Sequence, residues 1–456
     1  MYLPKDLSSY WACDIETDDL KATRVWVATA VNCETGEELA LLTKEEINEF
    51  FSRPYKFVFH NGIGFDAPTL NRLSGTRLSA SNVIDTMVMS QVYSPSLDGG
   101  HSLDSWGKRL SYEKGSFSDW SHLSDEMINY CLQDSRLCAR IFKALVRRMT
   151  SVGFTEVGLE IEHKSWALIQ KQKERGFFFN LKEAHALYSK LKEIENDIAG
   201  EVHRVWPPRL SLVRTYRRPF KRDGSPSALY KRHLDEYERI DLRADDDEYD
   251  AFDWTHFNIG SPTQRVEKLL EMGWIPRPDE RTPTGAPKPT AKGKLVPSLE
   301  EFVETSGEEG PRLIANWMEI NARANMVNTW IEACGDDSCI HGSLWLANTL
   351  RYRHSDPNTA NIPAVRVDGE GKPLRGLPGV FTYEARDLWS CRDPLRRRLV
   401  GVDAKGIQLR VLAHYLNNKK FTEAVLDGDP HSYNQEIGGF RTRSIAKTLK
   451  ILKSIN

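Results

Sequence analysis

The sequence lacks the features that mark membrane-inserted, secreted and zinc-binding proteins. No apolar run approaches the ~20 residues that a transmembrane helix needs, and the opening MYLPKDLSSYW has no long apolar core behind a basic start. The seven cysteines are odd in number and form no Cys-x-x-Cys pair. Free thiols in a reducing compartment are therefore expected rather than disulfides or a zinc site. These absences predict a cytoplasmic protein with no membrane partner.

An overall excess of positive charge is also missing. The chain carries 62 Lys and Arg against 64 Asp and Glu, a formal net charge of -2. Any surface that binds nucleic acid must therefore be local rather than spread over the molecule. With 456 residues, 40% of them hydrophobic, the chain is long enough for two to four domains with buried cores.

The amino-terminal third has the pattern of a compact α/β domain. Short β-branched and apolar segments predict strands over 10–16, 24–32, 38–42 and 56–60. A short helix is predicted over 45–52, and a long amphipathic helix runs from Ser124, its expected N-cap, to about 149. Strands followed by alternating helices and strands indicate an α/β domain that ends near residue 150.

The rest of the chain is predicted to be mostly helical, with interruptions. Helices are predicted over 158–205, 262–273 and 311–334. The proline-broken stretch 207–253 changes from basic to acidic and is predicted to be a loop-rich insertion, and 281–294 a flexible linker. A strand is predicted over 396–404, followed by a helix through LRVLAHYL.

Four acidic residues stand where a metal site could form. Asp14 and Glu16 are two residues apart on a predicted strand and so share one face, and Asp66 follows another strand. Asp134 lies one helical turn after Tyr130. Four acids brought together repel one another unless cations lie between them. Oxygen ligands favour Mg²⁺, with Mn²⁺ possible, and two such ions suit phosphodiester hydrolysis.

Each acidic motif is commonplace alone, as a solvated strand end, a loop acid or a helix pair, but their order is specific. Strand Asp-x-Glu, then Asn-x3-Phe-Asp over 61–66, then helical Tyr-x3-Asp over 130–134, resembles the motifs of 3′→5′ proofreading exonucleases with four acidic ligands. The resemblance implies a ribonuclease-H-like fold and a Tyr130 that orients the attacking water. It also implies the metal ligands Asp14, Glu16, Asp66 and Asp134. Asp85 matches another position that is commonly acidic in the family, although a helix cap before TMVMS explains it equally well.

A second group of residues lies in the last quarter of the chain. Its members are Arg351, Asp403, His431, Arg443 and Lys447. Arg443 and Lys447 are four apart and share a helix face, which is typical of a solvated stripe but also of a triphosphate-binding helix. With the segments 161–180 and 257–276, the group resembles family A DNA polymerases, most closely the replicative polymerases of short-tailed phages.

The polymerase resemblance assigns roles and domains. It implies that Arg351 contacts the primer–template minor groove and that Asp403 binds a catalytic metal. It implies that His431, Arg443 and Lys447 hold the incoming dNTP. The implied domains are an exonuclease over 1–150, a thumb with connecting helices over 151–345, including the insertion 207–253, and a partial palm with the start of the fingers over 346–456.

Three departures from that family weaken the expectation of polymerase activity. Gln408 stands where the family usually has Glu, which keeps the length but loses the charge, and Leu350 replaces the Gly of Thr-Gly-Arg. The third is that no Tyr-Gly follows Lys447, and the later His-Asp-Glu palm segment is not found. We interpret this as truncation at a break in the gene, so the chain alone should polymerise poorly. A second polymerase fragment would then complete the palm.

Other readings of the chain stay open. Basic residues near Tyr216 and Phe220 in the insertion suit phosphate contacts and base stacking, or form a solvated loop. In phage relatives an insertion at this place can bind a processivity factor such as thioredoxin. The main prediction is a two-metal exonuclease, acting on a single-stranded 3′ end, joined to an incomplete polymerase. The alternatives are an exonuclease fragment completed by a second chain and a non-catalytic DNA-binding replisome module.

Overall fold

The computed structural model describes residues 1–244, 247–291, 294–393, 395–404 and 406–439. The chain divides into two units, Met1–Arg392 and Asp393–Asn456. The predicted sites Arg443 and Lys447 lie outside the described residues. Within the described residues, no helix is both long and apolar enough to cross a bilayer.

A five-stranded sheet forms the centre of the first 150 residues. Its strands are β1 (Tyr10–Thr17), β2 (Val25–Asn32), β3 (Glu38–Leu41), β4 (Lys56–Phe59) and β5 (Val83–Asp85). The order is β3-β2-β1-β4-β5; the first three strands pair antiparallel, and β4 pairs parallel with both β1 and β5. Alternate residues of β1 enter apolar clusters on opposite faces of the sheet. The α/β fold predicted for this region is confirmed.

Helices cover both faces of this sheet. They are α1 (Lys44–Phe51), α2 (Asp66–Ser74), α3 (Thr86–Tyr93), α4 (Leu103–Arg109) and α5 (Asp125–Ser151). The side chain of Ser124 accepts a hydrogen bond from the Met127 N–H at 3.1 Å, so the predicted N-cap of the long helix is confirmed. The buried stripe of α5 packs on the face to which Ala12 and Val58 also belong.

The remainder of the first unit is mixed. Its helices are α6 (Glu156–Arg175), α7 (Leu181–Val205), α8 (Ala228–Glu236), α9 (Pro262–Glu271), α10 (Pro297–Thr305), α11 (Glu309–Ala333) and α12 (Thr382–Asp387). Its strands are β6 (Phe177–Phe178), β7 (Arg209–Arg217), β8 (Arg239–Leu242), β9 (Glu248–Thr255), β10 (Thr290–Ala291), β11 (Lys294–Leu295), β12 (Cys339–Ile340), β13 (Ser343–Leu346) and β14 (Tyr352–Ser355). The long helices α7 and α11 pack together around Leu191, Ile314 and Val327.

The insertion is an ordered element, so the prediction of a loop-rich stretch over 207–253 was wrong. Strands β7, β9 and β8 form a sheet in that order, and α8 packs on it. Its small core is aromatic: the rings of Tyr230 and Tyr249 are 4.7 Å apart, and His233 shares a 2.8 Å hydrogen bond with the Tyr249 hydroxyl. Of the basic residues that suggested a loop, Arg209, Arg214 and Arg217 are exposed positions of β7. Similarly, the predicted linker 281–294 contains a bridge between Arg281 and Pro287 and leads into the β10–β11 hairpin.

The described part of the second unit is helical. It contains α13 (Ile407–Leu416), α14 (Lys419–Leu426) and α15 (Pro430–Gly438), which pack around Leu409 and Phe421. The helix predicted through LRVLAHYL is confirmed, whereas the strand predicted over 396–404 was wrong. None of the described residues pairs with that segment, and a strand without a partner leaves its backbone hydrogen bonds unmade.

Candidate metal centre

Strand β1 presents Asp14 and Glu16 on one sheet face, as their two-residue spacing predicts. One ligand atom from each, together with Cys131 Sγ of α5, lies within 4.8 Å of the others. The Cys131 thiol donates to Asp14 Oδ2 at 3.6 Å and accepts from Thr29 Oγ1 at 3.1 Å. Burial, and next the negative charges of Asp14 and Glu16, hold the pKa of Cys131 well above its usual value. Without a cation the thiol is therefore protonated, and it donates to Asp14.

Two further acids come from helices. Asp66 is the first residue of α2, and its carboxylate is buried near the backbone of Ile15 in β1, which lowers its pKa against the effect of burial. Asp134 lies on the buried side of α5, one turn after Tyr130, whose hydroxyl is close enough to lower the pKa of Asp134 against the effect of burial. Asp134 Oδ1 is buried and has no hydrogen-bond partner among the described residues. An unpartnered buried carboxylate oxygen is costly unless a ligand satisfies it.

The electrostatics tie the four acids together. Burial raises the pKa of Asp14 well above its usual value, and the negative charges of Glu16, Asp66 and Asp134 raise it further. Burial, followed by the charge of Asp134, raises the pKa of Glu16 to about 8, and burial raises that of Asp66 to about 7. Hence all four predicted ligands face a common region. An all-oxygen donor set with an open buried oxygen fits a hard divalent cation, which would bring these pKa values down.

Sequence reasoning missed a lysine in this site. Lys114 Nζ lies 3.1 Å from Asp134 Oδ2 and 5.4 Å from the centre of the Tyr130 ring. Burial lowers the pKa of Lys114, but the nearby Tyr130 hydroxyl and the charge of Asp134 outweigh burial and raise the pKa overall. Lys114 belongs to the irregular segment between α4 and α5. No periodic pattern or spacing in the sequence links that segment to the acidic motifs.

Asp85 is a positioning residue next to the acids. Its side chain accepts from the N–H groups of Met87 and Val88 at the start of α3, so the helix-cap explanation is confirmed. It also accepts from the N–H groups of Asn61 at 2.9 Å and Ile63 at 3.1 Å. The buried carboxylate thereby fixes the loop that leads from β4 to Asp66.

The residues predicted for polymerisation fall in both units. Arg351 is exposed in the turn between β13 and β14 of the first unit. In the second unit, Asp403 is exposed in the irregular segment before α13, and Gln408 is exposed in the first turn of that helix. His431 lies in the first turn of α15, where its N–H donates to Asp429.

The sheet order and the acidic cluster define an α/β domain of the exonuclease type in the first 150 residues. Residues 5–150 match the family model for the 3′-5′ exonuclease domain of DNA polymerase A. The chain is 26% identical to the DNA-directed DNA polymerases of Escherichia phage T7 and Enterobacteria phage T3, across 86% of its own length in each case. Residues 5–150 therefore form a domain of the DNA polymerase A 3′-5′ exonuclease type, and the chain as a whole is similar to phage DNA-directed DNA polymerases.

A solved structure agrees on the fold. The polymerase domain of Pol1 from M. smegmatis, in complex with DNA primer-template and dNTP, matches with a TM-score of 0.65 and 16% identity, over 97% of this chain and 67% of that one. The chain spans 66% of the length of each phage relative.

Proposed function

We propose that the amino-terminal domain is a metal-dependent 3′→5′ exonuclease that removes nucleotides from a single-stranded DNA 3′ end. The observation that carries this proposal is the convergence of Asp14 on Glu16, Asp66 and Asp134, with pKa values raised by burial and mutual repulsion. Such an arrangement is unfavourable for a merely structural site. The family match over the same residues supports the same reaction.

The side chains have distinct roles in this proposal. Asp14, Glu16, Asp66 and Asp134 would hold two divalent cations, Mg²⁺ or alternatively Mn²⁺. When bound, such cations neutralise the phosphate and lower the pKa of a water molecule. Burial raises the pKa of Tyr130, so its hydroxyl keeps its proton at neutral pH and can orient the water. The water oxygen attacks phosphorus, the bond to the 3′ oxygen breaks, and a nucleoside 5′-monophosphate leaves a new 3′-hydroxyl.

The test follows a single-stranded DNA oligonucleotide that is labelled at its 5′ end and measures the rate at which it is shortened from its 3′ end. Asp14→Ala should lower the Mg²⁺-dependent rate at least ~10³-fold, because a lost cation ligand removes transition-state charge stabilisation. Asp104→Asn is the matched control, since Asp104 is an exposed acid paired with Lys108. Metal-independent shortening, or an Asp14→Ala rate equal to that of the control, would overturn the proposal.

A second activity is favoured by the similarity to the two phage polymerases across most of this chain. We propose that the chain contributes to DNA-directed DNA synthesis on a primer–template in a bacterial host cytoplasm. Its proposed site residues are Arg351, Asp403, Gln408, His431, Arg443 and Lys447. A second polymerase fragment, and a thioredoxin-like processivity factor at 207–253, are its proposed partners. The test compares primer extension by the wild-type chain and by Asp403→Ala, each with and without such a fragment. This activity is refuted if the wild type extends the primer no more than the variant does under both conditions.

A further inference from the structure

The position of Lys114 in the acidic site is fixed by contacts of the residues on both sides of it. The carbonyl of its neighbour Glu113 accepts from Gln133 Nε2 at 2.6 Å. On the other side, Gly115 packs so closely on α5 that a Cβ there would lie 3.2 Å from Tyr130 Cδ2. Backbone contacts on both sides of Lys114 therefore fix where its side chain leaves the loop.

Aromatic contacts hold the rest of this segment. The Phe117 ring lies 4.9 Å from that of Trp120, and both rings lie within 6 Å of Tyr130. The Trp120 carbonyl accepts from Trp26 Nε1 of β2 at 3.1 Å. The segment therefore contacts both the sheet and α5, and these contacts place the Lys114 ammonium next to Asp134.

The charges around Lys114 explain what it does there. Its partner Asp134 is nearly fully buried, with 4% of its side chain exposed, whereas 30% of the Lys114 side chain is exposed. Lys114 is also close enough to Asp14 and Glu16 to favour their charged forms. Lys114 is therefore a cation among the carboxylates. Because its side chain is partly exposed, it can also move toward solvent.

We propose that Lys114 is a resident counter-cation that occupies the Asp134 side of the acidic site until a divalent cation displaces it. The proposal rests on the exonuclease function proposed above. Lys114 contacts Oδ2 of Asp134, while Oδ1 has no hydrogen-bond partner among the described residues. A divalent cation that binds Asp134 therefore brings a second positive charge close to the ammonium, and their repulsion makes metal binding compete with the lysine contact. Once displaced, the partly exposed ammonium remains beside the site and can bind a non-bridging oxygen of the DNA phosphate.

The test is titration of the full chain with Mn²⁺ alone, in the absence of DNA, by calorimetry. Lys114→Met should bind Mn²⁺ about tenfold more tightly than the wild type, because its competitor is gone, and should melt at a lower temperature without metal. The rise in melting temperature on adding Mn²⁺ should be larger in this variant. Loss of a merely structural contact would not tighten metal binding. Lys114→Arg, which keeps the charge, should stay within about threefold of the wild-type affinity.

Control variants separate the possible failures. Lys108→Met removes an exposed lysine that pairs with Asp104 and should leave Mn²⁺ affinity unchanged. If Lys114→Met binds Mn²⁺ no more tightly than the wild type while the wild type shortens DNA, the counter-cation role is refuted and the exonuclease stands. If the wild type binds no Mn²⁺ and shortens no DNA, the exonuclease proposal fails, and this inference falls with it.

Discussion

The turn between β13 and β14 holds Leu350 in a backbone conformation that is unfavourable for a leucine side chain. Leu350 has φ = 58°, in the left-handed region that costs a non-glycine residue about 1–2 kcal/mol. The turn requires this angle because the Leu350 N–H donates to the Ala347 carbonyl at 2.8 Å, and the Ala347 N–H donates to the Arg351 carbonyl at 2.9 Å. The family resemblance implies glycine at this position, and glycine adopts this angle without the steric cost that leucine has.

Leu350→Gly should therefore stabilise the protein. Relief of the strained angle should outweigh the greater freedom of glycine in the unfolded chain, for a net gain of about 0.5–1 kcal/mol in the free energy of unfolding. Urea denaturation of the wild type and the variant measures this change in the free energy of unfolding. The same substitution at Leu346 of β13, where the backbone is extended, should cost stability instead. Equal losses at both positions would contradict the assignment of strain to Leu350.

At the scale of elements, α6 is joined to the sheet through a buried imidazole. His163 Nε2 accepts from the Asp85 N–H at 2.9 Å, and its Nδ1 lies 2.7 Å from the Leu159 carbonyl, to which it donates. Burial lowers the pKa of His163 to about 4. A proton on Nε2 would face the N–H of Asp85, so this joint between the helix and β5 requires the neutral ring.

This joint predicts acid sensitivity with a defined sign. In the unfolded chain His163 titrates near 6.5, so the stabilisation is complete above that pH and is lost as pH falls toward 4. The full loss is about 3 kcal/mol. The measurement is the free energy of unfolding in urea, at pH 7.5 and pH 4.5, of the wild type and of His163→Gln. All other titrating groups are common to the two proteins, so the difference between their pH dependences reports on His163. The variant should lose less stability across this interval; equal losses would contradict the prediction.

The elements that the sequence predicts well are those specified by their own residues. The strands β1 and β2 have buried apolar patterns, and α5 has a cap at Ser124, so local signals suffice. The sheet in the insertion escaped prediction because β7 pairs with β9 some thirty residues later, and charged residues obscure its aromatic core. The four acids were predicted from their spacing and from the resemblance of their motif order to exonucleases, whereas Lys114 reaches Asp134 through tertiary contact that no sequence pattern indicates.

At the scale of the molecule, Trp166 of α6 connects the exonuclease sheet to the hairpin that carries Arg351. It is buried in the cluster on one face of that sheet. Its ring also lies 6.1 Å from that of Trp345 in β13, and 6.5 Å from and nearly parallel to that of Tyr352 in β14. Within the first unit, the exonuclease domain and the hairpin therefore share one aromatic side chain.

Trp166→Ala should destabilise both parts together. Removing a large buried aromatic side chain costs about 3–5 kcal/mol in the free energy of unfolding, and amide hydrogens of β13 and β14 should exchange faster because their packing partner is lost. Trp166→Phe is the matched control: its ring keeps most of the contacts, and the indole nitrogen of Trp166 has no hydrogen-bond partner among the described residues. Hydrogen exchange followed by mass spectrometry measures the hairpin, and urea denaturation measures the unit. If the alanine variant loses stability while exchange in β13 and β14 stays at the wild-type rate, Trp166 belongs to the exonuclease core alone, and the hairpin is held by other contacts.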